Sequence, residues 1–231
     1  MSPELGRYEA AYFQSFIGVL WWIVKLGHAE LTMETSDTAS IMALTHKGHI
    51  KVIFQIFAFL KNKYNAVMVF HPTERDINES QLYNEDWSAI AHGECKEEIP
   101  PNAPRSPGIG FKMQAFVDSD HAGDSIIRRS RTGFLIFLNC APIYWFSNKQ
   151  TSIDTSSFDP DSVKIKQCFE YVRGLRYKLC MMGIPVKMLT FVFGDNKSVL
   201  SNTSMPRSTF KNVPSSISLH FFREEVAKYE W

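Results

Sequence analysis

The sequence is short of several things that would place it quickly. Cysteine is scarce, four residues in 231 (Cys95, Cys140, Cys168 and Cys180), and no two stand in a CxxC pair. That spacing argues against a zinc site and against a disulfide framework, and it suits free thiols in a reducing compartment. Charge of either sign is not in excess: 25 basic and 24 acidic residues leave a formal net charge of +1. No global field announces a polyanionic partner. No apolar run reaches the ~20 residues that span a bilayer, because the densest one, from Phe13 to Val24, contains Gln14 and Ser15 and is closed by Lys25. The first residues also lack a secretory layout, with Glu4, Arg7 and Glu9 ahead of the apolar stretch. The expectation is a soluble intracellular protein, cytoplasmic or nuclear, with no membrane partner and not secreted.

What is present is enough apolar material for a core, 45% of residues, in two different rhythms. The first third is helical. Phe13, Ile17, Leu20 and Val24 share one face of a helix over Tyr12–Leu26, with Gly27 as its stop. Further helices are expected from about Leu31 to Leu44 and from about Gly48 to Asn62, the latter with Val52, Ile56 and Phe59 in register. His28, His46 and His49 fall at helix ends, where solvated histidines are common. Tyr64–Phe70 reads as a short strand, and from His71 to Gly110 polar residues and Pro72, Pro100, Pro101, Pro104 and Pro107 give linker composition.

From Gln114 the rhythm changes to alternation. Gln114–Asp118, Thr132–Leu138 and Pro142–Ser147 read as an antiparallel meander of three strands. A long helix follows, with Asp159 as cap, Pro160 in its first turn, and Ile165, Cys168, Phe169, Val172, Leu175 and Leu179 at helical spacing. Gly183-Ile184-Pro185 ends it, Leu189–Gly194 is a fourth strand, and helices from Asn196 and from about Ser216 to Tyr229 complete the series. The order βββαβα with a helical crossover predicts a mixed α/β sheet behind a small helical unit.

Two of these strands end on aspartate. Asp118 precedes Ser119-Asp120-His121-Ala122-Gly123, and Asp195 follows Gly194, while Asp159-Pro160-Asp161 opens the long helix between them. A strand-end aspartate is often turn chemistry, an Asx bond to the following backbone. Three acidic positions at the ends of separate elements instead suit a hard divalent cation, provided the strands lie side by side.

At this point the residues resemble the polymerase polyprotein of copia-type LTR retrotransposons, over the end of reverse transcriptase and most of the RNase H domain. The strings that carry the resemblance are Tyr12-Phe13-Gln14-Ser15-Phe16-Ile17-Gly18, Val117-Asp118-Ser119-Asp120-His121-Ala122-Gly123, Arg128-Arg129-Ser130-Arg131-Thr132-Gly133, Ser147-Asn148-Lys149-Gln150 and Gly194-Asp195-Asn196-Lys197-Ser198, in one order. The resemblance implies a thumb-like helical segment over 1–70, a proline-rich connection over 71–113, and an RNase H-like domain over 114–231 whose final strand is missing. It implies that Asp118, Asp161 and Asp195 are catalytic ligands of Mg²⁺ (or Mn²⁺). It also implies that Arg128, Arg129 and Arg131 meet an RNA–DNA hybrid, and that a reverse transcriptase region lies upstream in an intact element. The implied activity is hydrolysis of the RNA strand of such hybrids. Two departures point to a degenerate or inactive site. Asp161 stands where the family carries Glu, one methylene longer, and the family's fourth acidic residue is expected beyond the strand that is missing. The alternative is a non-catalytic module of the same fold that binds nucleic acid or protein.

Overall fold

A computed structural model of the chain describes residues 2–77, 100–106, 108, 110–120, 131–149 and 158–195. The expected helices after Asn196, Arg128, Arg129 and most of the proline-rich connection lie outside the described residues. Two compact units divide the chain, one of Met1–Val69 with Trp145–Lys149, the other of Phe70–Tyr144 with Gln150–Trp231.

The first unit begins with α1, Arg7–Lys25, longer at its start than the apolar spacing alone suggests. Glu9 extends it, because its carboxylate accepts the Gly6 N–H at 3.0 Å and sits at the positive end of the helix dipole. Phe13, Ile17, Leu20 and Val24 are all buried and form one core with Leu31, Ile53 and Ile56. Gly27 turns the chain out of α1 at φ +128°, a conformation that a side chain would strain.

The second expected helix is shorter than predicted. A 3-10 turn, Ala29–Leu31, leads into α2, Thr32–Ser40, after which Met42 and Leu44 donate to carbonyls only three residues back. The reason is composition: α2 buries Thr32, Thr35, Ser36 and Thr38 rather than an apolar stripe. Thr38 Oγ1 bonds back to Glu34 O at 2.8 Å, so hydroxyls compete for the helix's own carbonyls.

Helix α3, Lys47–Asn62, buries Ile53 and Ile56, while Val52 and Phe59 remain 40% exposed, so the buried stripe is turned by one residue from the expected one. The expected strand over Tyr64–Phe70 is absent. Those residues form a turn and then irregular chain, with Val67 80% exposed. Strand propensity measures fit to a pleated neighbour, and no described strand pairs with this stretch.

Apart from Trp145–Lys149, which fall in the first unit, the second unit holds a four-stranded mixed sheet of order β3-β2-β1-β4. The strands are β1, Phe111–Asp120, β2, Arg131–Leu138, β3, Ala141–Lys149, and β4, Val186–Gly194. β1 and β2 are antiparallel, and β1 and β4 are parallel. Asn139, at φ +54°, makes the tight turn between β2 and β3, a role that asparagine fills because it tolerates the left-handed region. Between β3 and β4 runs α4, Phe158–Met181, which starts one residue before Asp159, so Asp159 lies in the first turn rather than outside it. It ends as its glycine predicts. Ile184 N–H reaches Leu179 O at 2.9 Å and Gly183 N–H reaches Cys180 O at 2.9 Å, with Gly183 at φ +74°.

Strand alternation gives the sheet two distinct faces. Met113, Ala115 and Val117 share one face with Phe134, Ile136 and Thr190, and α4 covers it. Contact is made by Arg176, whose Nη1 donates to Thr190 Oγ1 at 3.0 Å, and by Tyr171, whose ring centroid lies 6.1 Å from that of Phe134. The other face carries Gln114, Phe116, Phe137, Phe191 and Phe193, with the Phe116 and Phe193 rings stacked at 4.9 Å.

Candidate functional site

The register of the two parallel strands decides where the aspartates go. Val117 is the partner of Gly194, so Asp118 and Asp195 each stand one residue further on, at adjacent carboxyl ends ~5 Å apart. Both are exposed. Alternation continues the line from Phe116 to Asp118, which assigns Asp118 to the face opposite α4, while Asp195 stands at the bend just past β4. Carboxylate oxygens are donors that suit a hard divalent ion.

Asp161 is the fourth residue of α4. Because the chain reverses at Gly183, α4 runs against β4 and its first turn is at the carboxylate end of the sheet. Tyr171 lies against Phe134, the partner of Val117, so the helix crosses the level of the strand ends there. Asp161 lies ten residues before Tyr171, ~15 Å along the helix axis. Two of the three sequence-derived carboxylates are thus at adjacent strand ends, and the third belongs to the helix that covers the face opposite Asp118. Among the described residues no group of three or more His, Cys, Asp or Glu gathers at metal-holding distance. By donor type the strand-end pair fits part of a Mg²⁺ ligand set.

Of the arginines, Arg131 opens β2, half-buried, with Asp120 as its cross-strand partner. Near the same strand ends Tyr144 and Tyr171 stack at 3.7 Å. Burial, reinforced by Tyr144, pushes the Tyr171 phenol well above its ordinary value, so it stays protonated. Burial likewise pushes the Cys168 thiol up to about 12, which leaves it inert as a nucleophile.

Sequence reasoning missed the residues just before the sheet. Pro72 O accepts from Asn139 Nδ2 at 2.7 Å, Thr73 O accepts from Cys140 N–H at 3.0 Å, and Glu74 pairs with Lys187 at 2.8 Å and Lys112 at 3.4 Å. The hydrogen bond from Lys187 is the first reason that the Glu74 carboxyl is held below its ordinary range. Arg75 then reaches over the Phe116 and Phe137 rings, 5.2 and 5.1 Å from their centroids. The only signal in the sequence was the charge pair Glu74-Arg75 inside a stretch that otherwise reads as a connection.

Comparison with known proteins gives short or distant matches. The chain is 45% identical over 51 residues to an uncharacterized mitochondrial protein of Arabidopsis thaliana, covering 22% of this chain and 21% of that protein. It is 25% and 26% identical over 121 residues to the retrovirus-related Pol polyproteins from transposons RE2 and RE1 of the same plant. Each of those matches covers 52% of this chain but 8% of the polyprotein. No protein-family model matches the chain, and no solved structure matches it.

Proposed function

We propose that this chain is a segment of a retroelement polyprotein whose second unit is a degenerate RNase H-like module. In this reading it acts on the RNA strand of an RNA–DNA hybrid. Asp118, Asp161 and Asp195 would hold Mg²⁺, which when bound supplies activation of the attacking water and charge stabilisation at the leaving oxygen. The observation that carries the reading is the parallel pairing of β1 with β4, which sets Asp118 beside Asp195. Similarity to transposon Pol polyproteins over half of the chain supports the wider assignment.

The chain's own residues would share the work unequally. Asp118 and Asp195 supply oxygens from rigid strand ends. Asp161 supplies a shorter carboxylate than glutamate from the start of a helix that lies over the opposite face, and a displacement of ~1 Å can cost ~10²-fold in rate. Slow turnover is therefore expected, measured as cleavage of a labelled hybrid in Mg²⁺ or Mn²⁺. Asp118→Asn should abolish it, and Asp161→Glu should raise it several-fold or more. Cleavage that persists in Asp118→Asn would refute the assignment of the site. The placement of Asp161 on the helix of the other face favours a second reading, a module that binds the hybrid without cutting it. That module would bind in a salt-sensitive way and lose nothing with Asp195→Asn.

A further inference from the structure

Helix α1 carries an apolar face that the first unit leaves open. No charged residue stands between Glu9 and Lys25. One side of the helix buries Phe13, Ile17, Leu20 and Val24. On the other, Tyr8 is 92% exposed, Tyr12 61% and Trp22 64%, with Val19 and, at the C-cap, Leu26 exposed beside them. A helix that is apolar all round is normally buried all round. The spacing on the open side is regular. Tyr8, Tyr12, Ser15, Val19, Trp22 and Leu26 follow one another by alternate steps of four and three residues, the heptad rhythm of a helix that packs along a second helix. Gly18 stands on the same side, and a Cβ built on it would meet nothing within 4 Å. Glycine weakens a helix interior relative to alanine, and no described neighbour requires it here.

We propose that this face is the seam on which a second copy of the chain docks, with the two α1 helices packed antiparallel. The steps of the seam read the same from either end, so two copies running in opposite directions match throughout. Tyr8 lies opposite Leu26 of the other copy, Tyr12 opposite Trp22, and Ser15 opposite Val19. One patch then serves both subunits, the closed arrangement of a two-fold dimer. Large side chains fill the two ends, while Ser15 and Gly18 near the middle let the helix backbones approach. Charge selects the same direction. The start of α1 carries Glu4, Arg7 and Glu9, net acidic, and its end carries Lys25. Antiparallel packing sets the acidic end of each helix level with the basic end of the other and opposes the helix dipoles, whereas a parallel pair brings like ends together. The area suits a reversible dimer. At ~150–250 Å² for a fully covered aromatic side chain, Tyr8, Tyr12 and Trp22 expose about 400 Å² per copy, and with Val19 and Leu26 a pair buries about 1,000 Å² in all, the size of a weak but specific interface. The inference concerns the first unit and is independent of the nuclease-module reading.

The test is sedimentation equilibrium of the full chain from ~1 to ~200 µM, where a monomer–dimer equilibrium with a micromolar Kd is expected. Trp22→Glu should keep the helix content and raise Kd about tenfold or more. Gly18→Ala should melt at the same or a higher temperature as a monomer while raising Kd several-fold, because its methyl group enters the seam. Ser15→Cys chains mixed with Val19→Cys chains should oxidise to a dimer joined through those two positions, mapped by mass spectrometry. A chain that stays monomeric throughout overturns the proposal, whether another part of the chain, a different protein or a lipid surface covers α1. A wild-type Kd in folded Trp22→Glu overturns it as well, and Ser15→Cys chains that link to one another as readily as the mixed pair overturn the antiparallel register. Should Trp22→Glu fail to fold, Tyr8→Glu, at the most exposed position of the seam, takes its place.

Discussion

His49 shows how much a single side chain can carry in this protein. Its Nδ1 accepts the His46 backbone N–H at 3.1 Å, which closes the start of α3, while His46 Nδ1 meets Ser2 O at 2.9 Å. Burial first, and then the neighbouring His46, lower the His49 pKa from its ordinary 6.5. The unfolded chain therefore takes up this proton more readily than the folded one. The stabilisation is complete above pH 6.5 and is lost as pH falls below it, toward the lowered folded value. Geometry gives the same sign, since a protonated Nδ1 cannot accept and a cation is disfavoured at a helix N-terminus. Urea titrations at a series of pH values should show a loss of about 0.5 to 1 kcal/mol below pH 6.5, the size of a helix cap. His49→Gln keeps an acceptor without titrating, so it should flatten that part of the profile. An unchanged profile would assign the effect to other histidines. The sequence placed His46 and His49 at a helix end, but their mutual hydrogen bond needed the backbone to be seen.

At the scale of elements, the junction that matters most is the parallel pair β1 and β4, and one glycine makes its entry possible. Gly110 is buried where the Phe111 N–H donates to Pro185 O at 2.9 Å. A Cβ there would stand 2.6 Å from Lys187 Cγ and 2.9 Å from Pro185 O. The lysine can move, but the carbonyl belongs to the backbone that starts β4. Gly110→Ala is thus expected to push the strand starts apart and cost about 1 to 3 kcal/mol, read from the denaturation midpoint. A midpoint equal to that of the wild type would mean that the β1–β4 approach is looser than it stands. The same pairing gives the candidate site its geometry, so this variant should also impair any metal-dependent hydrolysis. Elements with a strong apolar rhythm were legible beforehand, α1 and α4 above all. Elements defined by polar burial or by pairing were not: α2 is held by threonine and serine, and Tyr64–Phe70 has strand composition with no strand beside it.

For the whole molecule, near-neutral charge limits how it can meet nucleic acid. With 25 basic and 24 acidic residues there is no general attraction, so binding would rest on a few local cations such as Arg131 with Arg128 and Arg129. About three phosphate contacts predict a slope of log K against log salt no steeper than about −3. A slope beyond about −6 would mean that a different and larger basic surface is used. No described helix is long and apolar enough to cross a membrane. The amino-acid sequence by itself determined the two rhythms of the chain, the buried stripes of α1 and α4, the glycines that end them, and the acidic character of the strand ends. These follow from local periodicity and local conformational freedom. Only the tertiary structure decided that Asp118 and Asp195 stand at adjacent strand ends, and that Arg75 leaves a seeming connection to lie over Phe116 and Phe137 on the face opposite α4. Strand partner, register and the side of a sheet are set by contacts between distant residues, and no local pattern encodes them.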